Sequence, residues 1–236
     1  MHTAPPGRPV VSGGPTSASV VRARLAVAGC VLVVAVLGVG VAAHVTSLLQ
    51  LDRAVSDALY AGDGRPRLLE ALLQVATGPG SSGVRAVILL PVVAWLVVRR
   101  AWRTAVWVLV AAGLVGPLTT AVKELVGRSR PQFTDGGARY VSLSFPSGHA
   151  SGIATLVTVV LVLAWPLLAP AARRWWLAAG VALALLVGLS RMWLGVHFLS
   201  DVVGGWAFGL GWTLLVALAL GGLPGGRAAL TPRTAP

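Results

Sequence analysis

PSGHASGIATLVTVVLVLAWPLLA, residues 146–169, opens on a turn and a helix cap and then runs to Ala169 without a charged residue. From Ala150 onward it has the roughly 20 apolar residues that an α-helix needs to cross a bilayer. Comparable runs extend from Leu25 to Ala43, from Thr104 to Val122 and from Val202 to Leu220. Val84 to Val98 and Trp175 to Ser190 fall near the lower limit of roughly 17 residues for a span, and the second lengthens if Met192, Trp193 and Leu194 continue it. The expected fold is therefore all-α: a polytopic membrane bundle of six helices over residues 25–222.

Composition agrees. Hydrophobic residues make up 56% of the 236 and charged residues 11%, against about 25% charged in a soluble domain, and the mean hydropathy is +0.82. A net charge of +12 would suggest nucleic acid in a soluble protein. Here the arginines stand at the ends of apolar runs rather than in a patch with stacking aromatics, so no nucleic-acid partner is expected. Cys30 is the one cysteine and has no partner within the chain for a disulfide.

The Pro-, Gly- and Ser-rich start (1–24) and the Pro-, Gly- and Arg-rich end (223–236) read as tails. Arg22 and Arg24 precede the first apolar run, which exceeds the roughly 7–15 residues of a signal-peptide core, so a retained anchor helix is expected. Between the first two spans, residues 44–83 form the longest loop. Leu48, Leu49, Leu51, Val55, Ala58 and Leu59, and then Leu68, Leu69, Leu72, Leu73 and Val75, recur at helical spacing and predict two short interfacial helices.

With six spans, one side of the membrane carries both ends of the chain and Arg8, Arg22, Arg24, Arg99, Arg100, Arg103, Arg173, Arg174, Arg227 and Arg233, with no acid. The other carries every acid, Asp52, Asp57, Asp63, Glu70, Glu124, Asp135 and Asp201, together with Arg53, Arg65, Arg67, Arg85, Lys123, Arg128, Arg130, Arg139 and Arg191. Ten basic residues against nine decide little by number. Clustering in short loops, and an interfacial belt of Trp95, Trp102, Trp165, Trp175 and Trp176, make the acid-free side cytoplasmic.

The outward-facing ends carry the chemistry. Lys123 and Arg130 flank Gly127, Arg128 and Ser129, and Pro131 blocks helical continuation. A single cation there would be expected merely to snorkel. Together, the planar fork of Arg and the mobile charge of Lys can neutralise a phosphate dianion. Ser147 is a good N-cap, Gly148 lets the backbone approach a ligand, and the free N–H groups of the helix start attract an anion. A turn and cap do not explain His149 at the membrane edge, where titratable groups are costly. His197 and Asp201, four apart, would share a helix face. The carboxylate would fix one imidazole nitrogen and leave the other free to attack, while Arg191 brings a third cation.

Lys-x6-Arg-Pro, Pro-Ser-Gly-His and Ser-Arg-x5-His-x3-Asp, in this order and at these helix ends, resemble the three signature motifs of the type 2 phosphatidic acid phosphatase family. These are membrane lipid phosphatases whose catalytic core resembles that of vanadium haloperoxidases. Every signature position is matched, and the resemblance covers about Leu25 to Leu220. It implies that His197 is the nucleophile and forms phosphohistidine, that Asp201 orients it and that His149 protonates the leaving alkoxide. It further implies that Lys123, Arg130, Ser147, Gly148 and Arg191 bind the phosphate oxygens. No cofactor or metal is expected, since Glu124, Asp135 and Asp201 are the only carboxylates near the motifs and Asp201 is taken by His197.

Six apolar helices argue against a soluble haloperoxidase. A non-enzymatic lipid-binding or transport protein would not require both histidines and Asp201, and polar residues in mid-helix are nearly absent. Gly204, Gly205, Gly209 and Gly211 are expected to let helices approach rather than to line a pore. Phosphatidic acid, phosphatidylglycerol phosphate, diacylglycerol pyrophosphate and polyprenyl diphosphate all fit a site at headgroup level. The Ala, Val, Gly and Arg bias suits a GC-rich bacterial genome.

Overall fold

The computed structural model describes residues 14–133 and 142–230, so Asp135 and Arg139 lie outside the described residues. Eight α-helices are present in this range: α1 (Ser17–Ala42), α2 (Thr46–Leu59), α3 (Arg67–Thr77), α4 (Ser82–Val98), α5 (Trp102–Val126), α6 (Gly148–Ala164), α7 (Pro170–Trp193) and α8 (Leu199–Leu220). Five spans are long and apolar enough to cross a membrane: α1, α5, α7, α8, and α6 with the 3-10 turn that follows it, Gly148–Leu167. A sixth is the broken pair Arg67–Gly80 and Ser82–Val98, bent by 47°. Counted as one span, α3 and α4 together make up the length that the short apolar run at Val84 to Val98 lacks by itself. The two short helices expected in the 44–83 loop are present as α2 and α3, the second of which leads through a 47° bend into α4.

The boundaries move outward in physically simple ways. The side chain of Thr16 caps α1, accepting from Ser19 N at 3.2 Å, so the helix starts well before residue 25. At the other end, the expected tail from 223 is partly packed. Leu223 and Ala228 are buried, and Thr104 Oγ1 donates to the Ala228 carbonyl at 2.8 Å. Two apolar residues in a Gly-rich segment are enough to fold it back onto the base of α5. α5 itself ends at Gly127, in the left-handed conformation (φ 68°), four residues before Pro131, because glycine accepts this helix-ending geometry without strain.

α6 and α8 form the centre of the bundle; α1 packs on α8, while α5 and α7 flank α6. Glycine makes the α6–α8 approach possible. A Cβ on Gly205 would lie 2.6 Å from the Ser147 carbonyl oxygen, and one on Gly209 would lie 2.2 Å from that of Ser151. Gly204 and Gly211 face Phe145 and Cys30 just as closely, as expected of packing glycines. Indole donors tie further pairs together, with Trp206 Nε1 bonded to the Ala184 carbonyl at 3.1 Å and Trp212 Nε1 to that of Ala111 at 3.0 Å. The five belt tryptophans stand at the helix ends opposite the motifs, where Arg99 and Arg173 lie over Trp95 and Trp165 at 5.9 and 5.5 Å.

Candidate active site

At the motif end of the bundle, the last turn of α5, the first turns of α6 and α8 and the last turn of α7 meet. Ser147 caps α6, its Oγ accepting from Ala150 N at 3.4 Å while its own N–H donates to the Asp201 carbonyl at 2.9 Å. This last bond ties the start of α6 to the start of α8. Gly148 is exposed and His149 half-buried. The N–H groups of Gly148 and His149 open α6 ahead of its i→i−4 ladder, the kind of helix end that attracts an anion.

His197 is not on a helix with Asp201. α8 begins at Leu199, with Phe198 as its N-cap, so His197 precedes the helix and Asp201 stands in its first turn. The carboxylate performs two tasks. Oδ2 accepts the Phe198 N–H at 3.0 Å, as a first-turn acid does at a helix start, and the same oxygen faces His197 Nδ1 at 3.3 Å. The backbone turn that delivers His197 requires Gly195. Its φ is +67°, and a Cβ there would come within 2.7 Å of the Tyr60 ring and 2.8 Å of Phe133, which stack on each other at 3.8 Å.

The second imidazole nitrogen fixes the tautomer. Arg130 Nη1 lies 3.1 Å from His197 Nε2, and a guanidinium can only donate, so Nε2 presents its lone pair and Nδ1 carries the proton toward Asp201. Arg130 is itself anchored to the backbone: Nη1 donates to the Val196 carbonyl at 2.8 Å, and Nε to the Ser142 carbonyl at 2.9 Å. Lys123 Nζ donates to the Leu143 carbonyl, and Arg191 Nη1 to Thr77 Oγ1 of α3 at 3.1 Å. Burial foremost, then the charges of Arg130, Arg191, Lys123 and His149, hold His197 well below the ordinary imidazole range. These four groups thus converge electrostatically on one buried imidazole, and all the candidate residues of the three motifs gather at this end. Among the described residues, no three His, Cys, Asp or Glu side chains gather as a metal ligand set.

Sequence reasoning missed a layer behind His197. Arg128 is buried over the Phe198 ring, its guanidinium carbon 4.0 Å from the ring centre. Nη1 donates to Asp201 Oδ1 at 2.9 Å, and Nη2 to Asp52 Oδ2 of α2 at 2.7 Å. A signal existed. Asp52 falls on the helical face of Leu48, Leu49, Val55 and Leu59, where a charge is out of place.

Residues 90–222 match the family model described as PAP2 superfamily. The chain belongs to the PAP2 superfamily. It is 33% identical over 172 residues, 72% of this chain and 83% of the relative, to Phosphatidylglycerophosphatase B of Bacillus subtilis. It is also 33% identical over 112 residues, 44% of each chain, to Lipid A 1-phosphatase of Rhizobium etli. The structure superposes with a TM-score of 0.66 on the transmembrane PAP2-type phosphatidylglycerolphosphate phosphatase from Bacillus subtilis, at 29% identity over 80% of this chain and 93% of that one. The family model covers the end of α4 and all of α5 to α8, where the motif residues lie.

The position of His197 has a consequence for pH. A depressed imidazole is protonated only below its lowered value, so Nε2 still keeps its lone pair at the ordinary imidazole value of 6.5. The acidic limb of kcat/KM, measured on an aryl phosphate with an activated leaving group, is expected well below pH 6.5. A limb at or above 6.5 would contradict this environment.

Proposed function

We propose that the chain hydrolyses the phosphomonoester or diphosphate of a membrane lipid through a phosphohistidine on His197. That it is a lipid phosphatase rests on its family and on the relatives named above. The reading of the mechanism rests on one observation: a buried imidazole with Nδ1 turned to Asp201 and the Nε2 lone pair turned to Arg130.

In this reading, a phosphate oxygen takes the place of Nε2 as a partner of Arg130, with Lys123, Arg191 and the N-terminus of α6, Ser147 and Gly148 included, holding the others. Nε2 attacks phosphorus as the bond to the leaving oxygen breaks, and His149 gives that oxygen its proton. Water then attacks the phosphohistidine, His149 takes a proton from it, and inorganic phosphate leaves with His197 restored. Fixed cations and N–H donors stabilise the charge on the equatorial oxygens, as positioned donors do in phosphoryl transfer. No metal enters the scheme. Phosphatidylglycerol phosphate is the first substrate to test, because Phosphatidylglycerophosphatase B, which is matched over 72% of this chain, is named for it.

Phosphate release by the purified protein in detergent, with EDTA throughout, is expected from phosphatidylglycerol phosphate or from another lipid phosphate or diphosphate. His197→Ala abolishes release for every substrate. His149→Ala costs roughly 10²–10⁴-fold on a lipid alkoxide, the range for a general acid, and less on a nitrophenyl ester, whose anion leaves unaided. Loss of activity in EDTA with recovery in Mg²⁺, or equal losses on both substrate types in His149→Ala, would contradict the scheme.

The site is read as extracytoplasmic and both ends of the chain as cytoplasmic, on the strength of the acid-free arginine loops and the tryptophan belt. In a Cys30→Ala background, Gly64→Cys is expected to react with an impermeant maleimide added to intact cells, whereas Ala171→Cys does not. The opposite labelling would move the site to the cytoplasm.

A further inference from the structure

Two carboxylates are buried among the described residues, Asp52 and Asp201, with 1% and 0% of their surface exposed. Asp201 belongs to the signature motifs. Asp52 belongs to α2, outside the residues 90–222 matched by the family model. Its bonds are complete. Oδ2 accepts from Arg128 Nη2 at 2.7 Å and from Ser200 Oγ at 2.6 Å, and Oδ1 accepts the Ser200 N–H at 2.9 Å. Ser200 Oγ in turn accepts from Arg128 Nη1 at 2.7 Å. Asp52 therefore grips both Arg128 and the first turn of α8, the turn that carries Asp201.

Stability alone is a poor reason for this arrangement, because well-packed apolar residues often replace a buried ion network at no loss. Its location gives a better one. Arg128 lies between two carboxylates, one of which faces His197. Paired with Asp201 alone, the guanidinium would draw fully on the oxygens that must accept the Nδ1 proton. With Asp52 on its other side, Asp52, Arg128 and Asp201 carry one net negative charge behind an imidazole that becomes positive when Nε2 bonds to phosphorus.

We propose that Asp52 is a positioning residue for the phosphoryl-transfer centre: through Arg128 and Ser200 it holds Asp201 against Nδ1 of His197, and it makes α2 a contributor to the site. This rests on the phosphatase reading above. Asp52 touches no reacting atom, so its effect falls on turnover and not on anion binding.

The test compares wild type, Asp52→Asn, Asp52→Glu and, as a control on the same helix, the exposed Asp57→Asn. Measured are kcat, KM and the competitive inhibition constant of inorganic phosphate, with monodispersity in detergent as the check on folding. Asp52→Asn is expected to lower kcat by about 10–100-fold, the scale seen when a partner that orients a working ligand is lost. Its phosphate inhibition constant should stay within about twofold of wild type, the mark of an interaction made only in the transition state. Asp52→Glu keeps the charge and retains more kcat than Asn; Asp57→Asn matches wild type.

Unchanged kcat in Asp52→Asn, a parallel loss of kcat and phosphate affinity, or a lower kcat in Glu than in Asn would overturn the proposal. If Asp52→Asn does not fold, Asp52→Glu decides by the same split between kcat and phosphate affinity, and failure of both to fold makes Asp52 structural and overturns it. An inactive wild type would sink the phosphatase reading and this inference with it; an active wild type with an indifferent Asp52 sinks only this one.

Discussion

The Asp201 carboxylate is the point on which the site turns. Oδ2 receives the N–H of Phe198 and faces the imidazole of His197, Oδ1 receives Arg128, and the residue's carbonyl receives the N–H of Ser147. One side chain thus starts α8 and orients an imidazole, while its backbone binds the cap of α6. The α6–α8 contact glycines serve the same junction. If side chains at 205 or 209 pushed the helices apart, the Ser147–Asp201 bond would lengthen, and the N-terminus of α6 would move away from the His197 imidazole.

Charge is the second constraint. Lys123, Arg130 and Arg191 surround a buried imidazole, and backbone and hydroxyl oxygens help to hold each of them: Leu143, Ser142 and Val196, and Thr77. Carbonyl and hydroxyl partners of this kind fix direction without cancelling charge. Arg128 differs, being flanked by Asp52 and Asp201 and so spent within the protein. Two arginines two positions apart in the chain thus face different partners: Arg128 meets two carboxylates, and Arg130 meets the His197 imidazole and two backbone carbonyls.

Much of this was legible in the sequence because membrane helices announce themselves by length and the motifs by their place at helix ends. The six-span layout, the two short helices of the 44–83 loop and the gathering of Lys123, Arg130, His149, Arg191 and His197 all followed from such local signals. Three features did not. The sixth span is broken, and Thr77 in its α3 half supports Arg191, a contact between residues 114 apart in the chain. His197 and Asp201 meet across a helix start and not along a helix, because the Asp201 carboxylate is drawn to the Phe198 N–H, a choice that i,i+4 spacing does not reveal. Asp52 is out of place on the apolar face of its expected helix, but nothing in the sequence names its partner; only the fold brings it to Arg128, 76 positions away. Residues 223–230 read as a tail because Gly and Pro mask the two apolar residues that dock.

The central claim is that His197 carries the phosphoryl group between substrate and water. Turnover of a lipid labelled in its terminal phosphate, quenched in alkali within one catalytic cycle, tests it directly. The account predicts an acid-labile, base-stable label that maps to the peptide containing His197. Label on any other residue, or its absence while phosphate is released at the normal rate, would contradict it.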